Sequence, residues 1–249
     1  MKQADAMGDW IVPDWPAPPR IRALITTRSG GASGAPYDSM NLGEHVGDDP
    51  EACRENRARL RARLPSEPLW MRQVHGTRVV EAGEWSQGIE ADGAVARGPG
   101  AVIGVLTADC LPVLFCDREG GVVGVAHAGW RGLVSGVLEA TVAKMAVDPG
   151  RLMAYLGPGI GAEVYEVGED VLEAFVRDDA ASVQAFMPHT PGKYFADLTL
   201  LARQRLAKTG IMSVHGGQFC TLSEHERFYS YRRDGRTGRM ASLIWVSTD

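Results

Sequence analysis

One cysteine and two histidines occupy positions from which they can do chemistry together. Cys110 follows the apolar run 101–106, His127 ends the apolar run 122–126, and His75 lies further upstream in a segment with a glycine beside it. Short apolar runs bounded by glycine and proline are typical of buried strands. We therefore predict that Cys110 and His127 lie at strand ends and His75 in a loop, so that all three can face one pocket.

Two imidazoles and one thiolate form a ligand set that suits zinc. Three protein ligands leave a fourth position for water or substrate, as in catalytic zinc sites. The three residues lie on separate segments without a local HxxxH or CxxC motif, so their spacing alone does not establish a site. The alternative is a buried cysteine that acts as a small hydrophobic residue, with two loop histidines bonded to the backbone.

The blocks around these residues read Gln-Val-His-Gly at 73–76, Thr-Ala-Asp-Cys-Leu-Pro at 107–112 and His-Ala-Gly-Trp-Arg-Gly at 127–132. They closely resemble the three signature blocks of the YfiH family. Similar segments begin at Arg28 and continue through 157–168 to 229–239. The resemblance therefore covers nearly the whole chain.

This resemblance implies an α/β fold, a layered sandwich with helices outside two layers of mixed sheet. Members of the family have been called polyphenol oxidases or laccases, peptidoglycan-editing factors, and zinc-dependent purine nucleoside phosphorylases with adenosine deaminase activity. It also implies that His75, Cys110 and His127 are the catalytic residues and the metal ligands. We expect residues 1–20 to form a surface segment and residues 21–249 to form a single catalytic domain.

Four further residues are candidates for binding the substrate or phosphate. Arg28 lies in a glycine- and serine-rich loop, and Asn41 belongs to the N-terminal family signature. Arg131 lies just before the helical pattern 133–145, whose first amides attract anions. Arg232 carries a rigid fork of donors that fits phosphate. The alternative for Arg28 is a solvated side chain on a tight loop, and the alternative for Arg232 is a solvated side chain on a hairpin turn.

Several other polar residues have two possible roles. A carboxylate that accepts from a metal-bound imidazole fixes its tautomer, and Asp92 or Asp109 would suit that role. For Asp92 the sequence favours the alternative, a turn-stabilising aspartate. His45 can line the pocket, although a surface position is favoured, and Glu166 can carry protons or simply be exposed.

The local patterns predict several elements directly. We expect a first strand at 21–27, a helix over 50–64 with Asp49 as its N-cap, and a helix from Asp197 to Lys208 ended by Gly210. A strand-like segment at 70–81 surrounds His75.

Composition excludes some classes of function. The 249 residues carry 31 acidic and 26 basic side chains, which argues against general nucleic-acid binding. No apolar run reaches the roughly 20 residues of a membrane helix, and no signal pattern begins the chain. The four cysteines have neither disulfide-scaffold density nor CxxC spacing, so we expect free thiols in a reducing cytoplasm.

Four hypotheses follow for the function. The first is a zinc enzyme that cleaves purine nucleosides (adenosine, inosine, guanosine, methylthioadenosine) with phosphate and deaminates adenosine with water. The second is a copper-dependent phenol oxidase, which the total of six histidines opposes. The third is a hydrolase of peptidoglycan precursors with Cys110 as nucleophile and His127 or His75 as base. The fourth is a binding protein without catalysis.

Overall fold

The computed structural model describes residues 9–248. Its strands are β1 (Ile21–Ile25), β2 (Pro68–Leu69), β3 (Val79–Glu81), β4 (Gly93–Arg97), β5 (Val102–Thr107), β6 (Leu111–Asp117), β7 (Val122–Ala128), β8 (Leu152–Leu156), β9 (Glu166–Gly168), β10 (Phe186–Pro188), β11 (Lys193–Ala196), β12 (Ser213–Gly216) and β13 (Met240–Val246). The α-helices are α1 (Pro50–Arg61), α2 (Trp130–Ser135), α3 (Val137–Met145), α4 (Glu169–Asp178), α5 (Leu198–Thr209) and α6 (Tyr231–Asp234).

Two mixed sheets pack face to face. One has the strand order β1-β13-β5-β2 and the other β12-β8-β6-β7-β4-β3. Ile103 and Ile244 of the first sheet share a buried cluster with Leu114, Val125 and Tyr155 of the second. A small antiparallel sheet, β10-β11-β9, completes the described strands.

Helices cover the outer faces of both sheets. Leu138 of α3, Phe175 of α4 and Leu201 of α5 pack in one cluster with Phe115 of β6. On the other side, Leu60 of α1 packs with Leu243 of β13. Strand β6 thus points alternate residues into two cores, which explains its continuous apolar run. The predicted sandwich, with helices outside two layers of mixed sheet, is confirmed.

Two helices have the ends that the sequence predicts. The Asp49 side chain accepts from the Glu51 N–H, and α1 begins at Pro50, although it ends at Arg61, short of residue 64. Asp197 caps α5 through the Leu200 N–H, and Gly210 ends it in a left-handed conformation. Both caps are local in sequence, so no tertiary contact was needed to predict them.

Two local predictions were wrong. Residues 70–81 do not form one strand, because β2 ends at Leu69, β3 begins at Val79, and His75 between them has a φ of 60°. The expected helix 133–145 is two helices, since Gly136, with a φ of 98°, ends α2 and begins α3. Arg232 lies in the short helix α6, capped by Ser230, so the alternative of a hairpin turn at this residue does not hold.

The expected surface segment 1–20 is only partly described, since residues 1–8 lie outside the described residues. Ile11 pairs with Ile25, and the Trp15 ring meets Tyr155 edge-on at 5.9 Å. In residues 9–248 no helix has the length and apolar character needed to cross a membrane.

Candidate metal centre and active site

Three segments bring the cysteine and both histidines to one end of the sheets. Cys110 immediately precedes β6, and His127 lies near the end of the neighbouring strand β7, opposite Pro112. His75 comes from the loop between β2 and β3. His127 is therefore a strand residue, whereas Cys110 and His75 lie outside the strands.

The three side chains are close enough to share one metal ion. One ligand atom from each lies within 4.8 Å of the other two. Bonds of about 2.3 Å to sulfur and about 2.05 Å to nitrogen separate those two ligands of a tetrahedral zinc ion by about 3.6 Å. Cys110 Sγ and His75 Nε2 are 3.7 Å apart, and the two imidazole rings meet edge-on at 4.7 Å. The donor set and its spacing therefore fit zinc.

Asp92 holds both histidines in place. This buried carboxylate accepts from the backbone N–H groups of Val74, His75 and Gly76 at 2.7–3.1 Å. Its Oδ1 also lies 2.8 Å from His127 Nδ1. A proton on Nδ1 leaves Nε2 as the free metal-binding nitrogen of His127. Asp92 thus both stabilises the His75 turn and orients His127, whereas the sequence favoured the turn role alone.

The cysteine and His127 form an ion pair when no metal is bound. Burial would raise the pKa of the Cys110 thiol, but the His127 charge and hydrogen bonds from both imidazoles lower it to about 6. Burial would lower the pKa of His127, whereas the Cys110 charge and the bond to Asp92 raise it to about 9. A thiolate and an imidazolium therefore coexist near neutral pH.

Asp109 anchors the loop that carries Cys110. Its φ of 90° is unusual for a non-glycine residue and is held by two hydrogen bonds. Thr221 Oγ1 donates to Oδ1 at 2.6 Å, and the Arg232 N–H donates to Oδ2 at 2.7 Å. Asp109 therefore ties the cysteine loop to α6 and the segment before it.

Gly129 allows the ligands to approach α2. A Cβ at this position would lie 2.7 Å from His75 Cδ2 and 2.9 Å from Cys110 Sγ. Both distances are far below van der Waals contact, so the site requires glycine here.

A cavity of about 850 Å³ opens beside the three ligands. Aromatic side chains of Trp70, Trp85 and Tyr231 form part of its wall. The remaining lining residues are Glu44, His45, Arg57, Glu67, Pro68, Met71, Arg72, Gln73, His75, Gln87, Gly88, Leu106, Thr107, Ala108, Cys110, His127 and Arg239. A volume of this size holds a small organic substrate with room to spare.

The four predicted substrate or phosphate residues do not line this cavity. Arg28 lines a separate cleft, where its guanidinium donates to Asp38 and to the His225 carbonyl. Asn41 is fully buried, and its side-chain amide bonds to Gly43, Asp48 and the Arg239 N–H.

Arg131 and Arg232 lie near Tyr165. The exposed Arg131 guanidinium stacks on Trp130 at 4.5 Å, and Arg232 lies over the Tyr165 ring at 5.1 Å while donating to the Glu166 carbonyl. Burial raises the pKa of Tyr165 to about 12. The Cys110 charge also raises this pKa, whereas the charges of Arg232 and Arg131 lower it. The structure thus groups Arg131 and Arg232 around one tyrosine close to Cys110.

The sequence alone did not identify Arg239, Trp70 or Trp85 as cavity residues. Arg239 belonged to the resembling block 229–239, which was the only available signal. His45 is exposed, as favoured, and it also lines the cavity. Glu166 lies 3.5 Å from His189, away from the cavity lining.

The chain is similar to known proteins over almost all of its length. A family model described as multi-copper polyphenol oxidoreductase laccase matches residues 22–247. A purine nucleoside phosphorylase of Pseudomonas aeruginosa is 55% identical over 241 residues, covering 96% of this chain and 99% of that protein. The purine nucleoside phosphorylase YfiH of Escherichia coli is 52% identical over 243 residues, covering 96% of this chain and 100% of that protein.

Solved structures agree with these relatives. The crystal structure of a Neisseria meningitidis protein matches with a TM-score of 0.94 at 50% identity, covering 96% of this chain and 99% of that one. YlmD from Geobacillus stearothermophilus matches with a TM-score of 0.88 at 28% identity, covering 96% of each chain. On its sequence blocks, its fold and these matches, the chain belongs to the YfiH family.

Proposed function

We propose that this protein is a zinc-dependent purine nucleoside phosphorylase that also deaminates adenosine, with residues 21–249 acting as one catalytic domain in a reducing cytoplasm. The observation that carries the proposal is the group of His75, Cys110 and His127 on the wall of a cavity of about 850 Å³. The names of the similar proteins from Pseudomonas and Escherichia support the same reaction.

His75, Cys110 and His127 would hold the metal, and a zinc ion bound there supplies a Lewis acid and lowers the pKa of water toward neutrality. Asp92 keeps His127 in the tautomer that presents Nε2 to the site. The indoles of Trp70 and Trp85 offer flat apolar surfaces on which a purine can stack.

Phosphate requires a cationic site near the nucleoside. Arg131 and Arg232 remain our candidates, because both are charged neighbours of the Tyr165 hydroxyl, as Cys110 is. Charge-assisted hydrogen bonds from guanidinium groups suit this anion. Arg28 and Asn41 already bond to protein groups, so we propose that they hold their loops in place without touching the substrate.

Product analysis tests this function. Adenosine and inosine are incubated with the zinc-loaded protein, with and without phosphate, and the products are separated. We expect adenine and hypoxanthine only with phosphate, inosine from adenosine without it, and loss of both activities in His127→Ala. Arg131→Ala should raise the phosphate requirement of phosphorolysis more than it slows deamination. A parallel fall of both activities in Arg131→Ala would remove Arg131 from the phosphate site.

Two other reactions have a specific observation in their favour. The Cys110 thiolate beside the His127 imidazolium is the pair that a cysteine hydrolase uses. Release of an amino acid from a peptidoglycan precursor, with nucleosides untouched, would favour that reaction. The description of the matching family model favours a copper oxidase. Copper-dependent oxidation of a phenol by the purified protein would favour that one.

A further inference from the structure

Arg239 lies at the same end of the sheets as the metal ligands. It immediately precedes β13, and the first pair between β13 and β5 joins Met240 to Thr107. Thr107 in turn leads directly into the loop of Cys110. As a result, the Arg239 side chain lines the cavity together with Cys110 and His127.

The other arginines of the cavity wall are neutralised by carboxylates. Arg57 lies 2.8 Å from Glu44, and Arg72 pairs with Glu90. The cavity carboxylate Glu67 faces Arg61 at 3.8 Å. Within residues 9–248, Arg239 forms no ion pair with a carboxylate. Its negatively charged neighbours are the Cys110 thiolate and, beyond ion-pair contact, Asp109. Among the described arginines of the cavity wall, Arg239 is thus the one without a carboxylate in direct contact.

Part of the Arg239 guanidinium is also free to donate. Nη1 donates to the carbonyls of Thr237 and Gly238 at 3.0 and 2.9 Å. Nε and Nη2 have no acceptor among the described residues. These two nitrogens are therefore free to donate to water or to a ligand in the cavity.

The arginine is held in position before any ligand arrives. Asn41 Oδ1 accepts from the Arg239 N–H at 2.9 Å, and the Leu42 N–H donates to the Arg239 carbonyl at 3.2 Å. A Cβ at Gly43 would lie only 2.8 Å from Arg239 Cγ, so the side-chain stem packs directly on this loop. The Tyr231 ring lies 5.9 Å from the guanidinium carbon on another side. Little conformational entropy is then lost when a ligand binds.

We propose that Arg239 binds a phosphate group inside the cavity, as inorganic phosphate or as the 5′-phosphate of a nucleotide. This inference rests on the proposed function insofar as the same cavity holds the nucleoside. The guanidinium fork gives two parallel donors to two oxygens of one phosphate, which an ammonium group does not. A phosphate held there lies in the cavity that the metal ligands face, whereas Arg131 and Arg232 lie outside the cavity lining, so Arg239 is a separate candidate for the phosphate site of phosphorolysis.

Calorimetry of the zinc-loaded protein tests the inference without requiring turnover. The probes are inorganic phosphate, adenosine 5′-monophosphate and adenosine, and the variants are Arg239→Met and Arg239→Lys. Arg72→Met is the matched control, because Arg72 lines the same cavity but already has a carboxylate partner. Zinc content and melting temperature establish that each variant is folded.

We expect Arg239→Met to weaken binding of the phosphate-bearing probe about tenfold or more, with adenosine binding unchanged. The affinity of Arg239→Lys for the phosphate-bearing probe should lie between those of the wild type and Arg239→Met. The lysine variant therefore keeps the test decisive if the methionine variant is unstable. If binding of inorganic phosphate depends on Arg239, the ligand is the free anion. If only binding of adenosine 5′-monophosphate depends on Arg239, the ligand is a nucleotide.

Unchanged binding of both phosphate probes in folded Arg239→Met would overturn the inference, as would an equal loss in Arg72→Met. The two proposals fail separately. Phosphate binding that depends on Arg239 without any phosphorolysis would refute the proposed function alone. Phosphorolysis by the wild type, together with unchanged binding of both inorganic phosphate and the monophosphate in folded Arg239→Met, would refute this inference alone.

Discussion

Cys110 and His127 stabilise each other's charged forms, and this makes the thiol unusual among the four cysteines. The four are all free, and burial raises the pKa of Cys53 and raises that of Cys116 to about 12. The lowered pKa of Cys110 means that its thiolate fraction grows as the pH rises through about 6. The nucleophile of alkylation is the thiolate, so the rate of modification follows that fraction.

We predict that iodoacetamide modifies metal-free protein first at Cys110, with a rate that rises between about pH 5 and about pH 7 and then levels off. Cys116 and Cys53 should stay unmodified over this range. The measurement is the rate of alkylation by peptide mapping, with Cys110→Ala as the control. Added zinc should protect Cys110. A rate that rises only above about pH 8 would show that His127 does not stabilise the thiolate.

Asp92 acts through two other residues, since it bonds to the His75 turn and to His127 Nδ1. Asp92→Asn keeps the size of the side chain but removes the charge. We expect zinc to bind about 10- to 100-fold more weakly, measured by competition with a chromophoric chelator. Asp148→Asn is a control, because Asp148 caps an exposed turn at Gly150. Equal affinity in Asp92→Asn and the wild type would leave Asp92 with the turn role alone.

The junction of β7 with α2 controls how closely the ligands approach the helix. Gly129→Ala should displace His75 or Cys110, because its Cβ would lie within 3 Å of both. We predict loss of zinc binding with little change in circular dichroism. Gly34→Ala should behave as the wild type, since a Cβ at Gly34 would have no other atom within 4 Å. Normal zinc content in Gly129→Ala would mean that the loop of His75 can move aside.

Elements fixed by local signals were predictable from the sequence. Asp49, Asp197 and Gly210 set helix ends through neighbours within four residues, and the buried strands β5 to β7 follow from continuous apolar runs. The turn at His75 was not predictable, because its conformation is stabilised by Asp92, 17 residues away in the chain. The break at Gly136 was also missed, since glycine is compatible with helix interiors at a modest cost.

The site itself depends on contacts that a single sequence does not reveal. His75, Cys110 and His127 were chosen for their residue types and for a family resemblance, and only the fold brings them within 4.8 Å. Arg239 was not singled out from the sequence. Only the structure shows that Arg57 and Arg72 have carboxylate partners while Arg239, on the same cavity wall, has none among the described residues.

At the scale of the whole molecule, residues from both ends of the chain build one cavity, from Glu44 to Arg239. His75, Cys110 and His127 lie on its wall, and cationic side chains lie near Cys110 both inside the cavity and around Tyr165. In the function we propose, one nucleoside bound in this cavity reacts with either water or phosphate. We therefore predict that one metal ion serves both reactions.

The most direct test is a zinc titration of metal-stripped protein, with hypoxanthine release from inosine measured in phosphate buffer. We predict no release without metal, a linear rise with added zinc, and saturation at about one zinc ion per chain. Cys110→Ala should stay inactive throughout. Full phosphorolysis by the metal-stripped protein, or activation by copper and not by zinc, would show that the reaction does not depend on zinc.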